Sequence, residues 1–189
     1  MKKSIVVLIA VVAVVVIIIG AFVGGYNGLV DKEESVKTAQ SQISNQLQRR
    51  ADLIPNFVNT VKGYADYEQS TYQAVTEARA AVGKADSVTE QQQASEQLDR
   101  AVSIWVNAVT EAYPELKAEK QFTALTDELS GTENRIAVAR KDYNEIAKEY
   151  NSSIRKFPKS IVAALFGFEK VDYFEASEGA NKVPEVSFD

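Results

Sequence analysis

The sequence predicts an all-α protein: an N-terminal transmembrane helix followed by an antiparallel four-helix bundle with long helices. Three observations carry that expectation. Residues 4–30 hold no charge, and Ile5 to Val23 is almost purely Val, Ile, Leu and Ala. Beyond them, apolar residues recur at spacings of three and four as far as Phe157, which is the period of one helix face. No strand-like alternation and no hairpin signal occurs before residue 170. The expected division is a transmembrane signal anchor at 1–25, a helical body at 26–170 and an extended tail at 171–189.

A bilayer core of roughly 30 Å needs about 20 apolar residues as a helix, and Ile5–Val23 supplies them. Gly20, Gly24 and Gly25 are tolerable in such a helix. A cleaved secretory signal has a shorter apolar core, about 7–15 residues, ending in small residues of the A-x-A kind. Here the boundary reads Gly-Ala-Phe-Val-Gly-Gly, so a retained anchor is expected, with the bilayer itself as partner of residues 4–23. Lys2 and Lys3 abut the segment, whereas Lys32 and Lys37 stand farther off among Asp31, Glu33 and Glu34. The positive-inside rule then favours a single-pass protein with a cytoplasmic N-terminus and its body outside.

Four helices follow in order. Leu29, Val36, Ile43 and Leu47 mark the first, running to about Arg50. Ile54, Phe57, Val61, Tyr64, Val75 and Val82 mark the second, with Asp52 as its expected cap and Pro55 in its first turn. Gly83–Ser87 is the break after it. Ala94, Leu98, Val102, Trp105, Val109 and Ala112 mark the third. The last, expected over 115–157, carries Phe122, Leu125, Leu129, Thr132, Ile136, Ala139, Tyr143, Ile146, Tyr150, Ile154 and Phe157 on one face, close to a heptad repeat. Pro114 suits its start and Pro158 ends it. At 1.5 Å per residue it would span roughly 60 Å, about twice the first helix, so an overhang or a bend at Ser130–Gly131 is expected. Four helices joined by short turns imply up-down-up-down order, which returns the fourth helix toward the membrane. The apolar run Ile161–Phe168, flanked by Lys156, Lys159 and Lys170, then lies near the bilayer.

Composition narrows the chemistry. The chain carries a formal charge of −5, and setting aside Lys2 and Lys3 leaves the body at −7. An acidic body argues against nucleic acid as a partner, since phosphate neutralisation needs a basic surface. The chain has no Cys, which removes disulfides, thiolate catalysis, thiolate metal sites and a lipoprotein anchor. It has no His, which removes the commonest general base and metal ligand. No EF-hand spacing occurs either. Neither a cofactor nor a metal is expected.

Several stretches resemble the LemA family of bacterial membrane proteins. They are Tyr26-Asn27-Gly28-Leu29-Val30, Gln46 through Asn56, Val61-Lys62-Gly63-Tyr64, Glu77-Ala78-Arg79, Glu111 through Lys117, Gly131 through Ala137, Tyr143-Asn144, Tyr150-Asn151, Phe157-Pro158 and Phe166-Gly167-Phe168. They occur in the family's order and cover nearly the whole chain after the anchor. The resemblance implies one N-terminal membrane segment and a helical-bundle body. It supplies no catalytic or ligand-binding residues. The sequence departs from the family pattern at Ala39-Gln40-Ser41-Gln42, where the family favours an aromatic word.

The candidate contacts with a partner or the membrane are Arg49, Arg50, Ile161, Leu165, Phe166 and Phe168. Arg49 and Arg50 suit an anionic headgroup or acidic partner, although the favoured reading is a pair of cations at a helix C-terminus followed by the Asp52 cap. Glu77, Arg79, Glu133, Asn134, Arg135 and Arg140 suit an inter-helix polar network, with Glu77 and Glu133 as the only carboxylate pair to weigh for catalysis. Tyr143, Tyr150 and Trp105 read as core. The function expected is a membrane-tethered helical scaffold or adaptor that binds another envelope protein, without catalysis and with self-association left open. The rivals are a sensory module coupled through the anchor and a carboxylate-based envelope enzyme.

Overall fold

The computed structural model describes residues 2–62 and 69–175. They form α1 (Lys2–Lys62), α2 (Gln69–Val82), α3 (Val88–Ala112), a 3-10 turn (Pro114–Ala118), α4 (Lys120–Arg155) and α5 (Lys159–Phe166). No strand occurs among the described residues, so the all-helical expectation holds. The chain divides into two compact units, one of Met1–Ala39 and Asp142–Val171, the other of Gln40–Lys141 and Asp172–Asp189.

The first departure from expectation is at Pro55. No helix ends near Arg50, and Asp52 caps nothing; α1 runs through Pro55 to Lys62. A proline inside a helix leaves the carbonyl four residues back without its donor. That carbonyl belongs to Ala51, and the Arg79 Nε–H of α2 donates to it at 3.0 Å. Arg79 also reaches the Asp52 carboxylate at 3.6 Å. The lost helical bond is thus replaced by a tertiary one. The second helix accordingly starts later than expected, at Gln69, and Tyr64 lies outside the described residues.

In the unit of Gln40–Lys141, the core is built around an aromatic trio. Phe57 of α1 sits against Trp105 of α3 at 5.0 Å and against Phe122 of α4 at 4.9 Å between ring centroids, within the range where aromatic pairs attract. Ile43, Leu47, Ile54, Val75, Leu98, Val102, Leu129 and Ile136 are buried in the same unit. Polar contacts fix register. Gln40 of α1 donates to the Asp86 carbonyl, and Gln91 of α3 donates to Ser44. Farther along α1, Arg49 pairs with Glu128 of α4 at 2.9 Å.

The break after α2 falls at Gly83–Ser87 as expected, and its end is a capping box. The Glu90 N–H donates to Ser87 Oγ while the Ser87 N–H donates to the Glu90 carboxylate, satisfying two otherwise idle donors. Those bonds hold the Glu90 carboxyl below its ordinary value. Pro114 opens a 3-10 turn rather than α4, which starts six residues later; Leu116 is fully buried within that turn. α4 continues through Ser130–Gly131 as one helix.

Two outcomes follow. Ile136 is 2% exposed, so Ile136→Asp puts a charge into an apolar seam and lowers stability by several kcal/mol; an unchanged thermal midpoint contradicts the packing described. Arg79→Met lowers stability by about 1.5–3 kcal/mol, the worth of a hydrogen bond made by a charged group. That loss shrinks in a Pro55→Ala background, where residue 55 regains the N–H that Ala51 needs. Equal losses in the two backgrounds, read by denaturant titration, refute the assigned role of Arg79.

Candidate functional site

The site lies in the unit of Met1–Ala39 and Asp142–Val171, where the apolar stretch of α1 meets α5. From Ile5 to Ile19 every large side chain of α1 is exposed, and this stretch is long and apolar enough to cross a membrane. Burial begins at Gly25 and Leu29. There the absence of a side chain at Gly25 admits Val162, whose Cγ2 lies 3.5 Å from where a Cβ would stand.

Local sequence dictates how α5 gets there. α4 stops at Arg155, ahead of the cis Phe157–Pro158 peptide. α5 spans eight residues and stops at Gly167, whose φ of 74° is the left-handed conformation that glycine adopts without strain. The Phe168 N–H then donates to the Ala163 carbonyl at 3.0 Å. Asn151 of α4 clips the returning chain in both directions: its Nδ2 donates to the Val171 carbonyl and its Oδ1 accepts the Val171 N–H, each at 2.9 Å.

The result is a helix apolar on two faces. Val162 and Ala163 are buried against Leu29, with Phe22, Ile154 and Phe168 packed around them. Tyr26 sits 4.8 Å from Phe166 and 5.7 Å from Phe168 between ring centroids. The other face is bare: Ile161 is 48%, Leu165 69% and Phe166 55% exposed, and Phe157, expected within the α4 core, is 81% exposed. Phe157 leaves the stripe because α4 has already ended. Beneath this face, a cavity of about 320 Å³ opens between α1 and the 157–162 segment.

Of the residues singled out from the sequence, Ile161, Leu165, Phe166 and Phe168 gather here; Phe168 is turned inward. Arg49 and Arg50 belong to the other unit. Arg49 is exposed and paired with Glu128, which also accepts from Arg135 at 2.7 Å. Arg50 is 4% exposed and is engaged inside the unit, with Asp99 of α3 and, at 3.7 Å, Glu133 of α4. Burial pushes the Asp99 carboxyl above its ordinary value, against the pull of Arg50. Burial likewise lowers Arg140, which feels Asp99 and Glu96 and lies over the Phe174 ring. Of the inter-helix polar network expected from Glu77, Arg79, Glu133, Asn134, Arg135 and Arg140, Glu133 and Arg140 meet Arg50 and Asp99, whereas Arg79 pairs with Asp52 and Arg135 with Glu128. Among the described residues Glu77 accepts from Gln73 on its own helix, at 3.0 Å, and is not brought to Glu133. Asp99 carried no sequence signal beyond its charge, and Tyr26 and Asn151 stood out only as members of the stretches that resemble the family. Tyr143 and Tyr150 are buried, as expected.

Removing one member of the Arg50–Asp99 pair has unequal effects. Asp99→Leu strands a buried guanidinium and costs about 3 kcal/mol. Arg50→Met costs less, because the Asp99 side chain is a third exposed. The double variant loses less than the two losses summed. Asp99 holds its proton more readily folded than unfolded, so its contribution is greatest below the ordinary carboxylate value and fades as pH rises through the raised one. The stability gap between parent and Asp99→Leu therefore widens as pH falls through that window; a gap that narrows contradicts the assigned environment of Asp99.

Comparison with known proteins places these features in a lineage. Protein LemA of Metamycoplasma hominis is 29% identical over 158 residues, covering 83% of this chain and 72% of its own length. Magnetosome protein MamQ 2 of Paramagnetospirillum magneticum is 26% identical over 175 residues, and magnetosome protein MamQ of Magnetospirillum gryphiswaldense is 25% identical over 174. Each MamQ alignment covers 79% of this chain but 64% of the relative, so the chain spans less than two thirds of those proteins. The sequence profile of the LemA family matches residues 39–188, and the chain belongs to that family.

Proposed function

We propose that the protein is a membrane-tethered helical scaffold that holds its body at the bilayer and presents it to another envelope protein. The observation that carries the reading is the bare apolar face of α5, packed directly on α1 where the membrane-length stretch ends. An isolated anchor leaves a body free to swing. A second apolar contact fixes its orientation, which serves positioning rather than turnover. Three or four large side chains entering the interface contribute a few kcal/mol at about 25 cal/mol per Å², enough to orient the body but not to anchor it.

The body is read as an antiparallel bundle of α1 to α4. Along α1, from Ser44 to Phe57, partners on α3 advance from Gln91 to Trp105. Partners on α4 retreat from Glu133 at Arg50 to Phe122 at Phe57. Such a bundle offers long solvated faces and, among the described residues, no cluster of acids set to hold a metal. The single-pass topology with the body outside belongs to the same reading.

Because the chain lacks cysteine, single labels report depth cleanly. Full-length Ile161→Cys and Leu165→Cys, labelled with a polarity-sensitive fluorophore in vesicles, are quenched by lipid-borne quenchers near the interface. A label at Val138→Cys, 59% exposed on the other unit, is quenched from water instead. Aqueous quenching at 161 and 165 overturns the membrane seating of α5. Cross-linking in native membranes tests the scaffold itself: a discrete protein adduct of the body supports it, and adducts to lipid alone refute it.

A further inference from the structure

The geometry points to a binding site for one anionic phospholipid in the cavity between α1 and α5, its acyl chain along Gly24 and its phosphate on Lys159. The cavity, about 320 Å³, lies at the small end of the ligand-pocket range of roughly 300–1,000 Å³. Its walls are apolar except for Lys159, with Phe22 on one side and Phe157 and Ile161 on the other. Gly24 lines it on α1, and beside it Val162 and the Lys159 stem cover Gly25. A Cβ at Gly24 would meet nothing within 4 Å, so the trough there is open rather than filled by a neighbouring side chain.

Occupancy by lipid follows from the walls. One of them is the membrane-length stretch of α1, so whatever fills the trough is drawn from the bilayer. The polar end is equally placed. The Lys159 ammonium lies 3.3 Å from where a Cβ on Gly28 would stand, about one turn beyond Gly25 and just before the first charge of the body at Asp31. A lysine whose stem lines an apolar groove and whose amine reaches the headgroup level is the arrangement by which such side chains snorkel. Lys159 makes no ion pair with another described residue, so its charge is available to a phosphate.

The inference rests on α5 being seated at the bilayer, and its test separates the two. The full chain is extracted gently from vesicles of mixed phosphatidylcholine and phosphatidylglycerol, and retained lipid is counted by native mass spectrometry. The parent retains one lipid per chain, with phosphatidylglycerol preferred. Gly24→Leu fills the trough and loses the lipid while keeping the parent's thermal midpoint. Lys159→Gln keeps a lipid but loses roughly five-fold of the headgroup preference, the effect of one lysine near an anionic surface. Retention unaltered by Gly24→Leu, equal retention of both lipids by the parent, or a chain that emerges as a lipid-free dimer each overturns the site. If the labels at 161 and 165 still report interfacial depth, the seating of α5 survives that failure; if they report water, the seating falls with it.

Discussion

The hydrogen bond from Arg79 to the Ala51 carbonyl is the contact on which the architecture turns. A proline in a helix interior costs about 3 kcal/mol and ordinarily ends or kinks the helix. With Arg79 supplying the missing donor, α1 continues from the apolar stretch to Lys62. Past Pro55 it still presents Phe57, Val58 and Val61 to the core. Were α1 to stop at Asp52, Phe57 would leave the trio with Trp105 and Phe122. The same arginine binds the helix that it stabilises to α2, so helix continuity and tertiary packing are one interaction.

This also explains what the sequence could and could not disclose. The apolar stripes were legible: Leu29, Val36, Ile43 and Leu47, like Leu98, Val102 and Trp105, recur at helical spacing and are buried. Local boundary signals were legible where the cause was local, as at Gly83–Ser87 and Pro158. Pro55 misled because its signal is local and its rescue is not; the donor stands 28 residues away. Phe157 fits the periodicity of α4 in sequence, yet the helix has ended two residues earlier, and periodicity alone cannot register that end.

The candidate site was half legible for the same reason. Ile161 and Leu165 stood out as an apolar run with flanking lysines, and both are exposed. That Val162 and Ala163 turn inward follows from Gly25 and Leu29 on a helix more than 130 residues earlier, which no pattern within the run encodes. Arg50 is the converse case. Adjacent arginines look alike in sequence, but α1 turns about 100° per residue, so Arg49 faces water and Arg50 faces Asp99. Charge made both conspicuous; only the helix phase separates a surface cation from a core ion pair.

The charge distribution gives α5 its weight. With the body at −7, an anionic membrane repels it as a whole, but at physiological salt that repulsion fades over about 8 Å. Only charges close to the bilayer then matter. In and flanking α5 in sequence, Arg155, Lys156, Lys159 and Lys170 outnumber Glu169, a local excess of positive charge within an acidic protein. On the proposed seating of α5, the exposed apolar side chains of Ile161 and Leu165 and the cations flanking them act together.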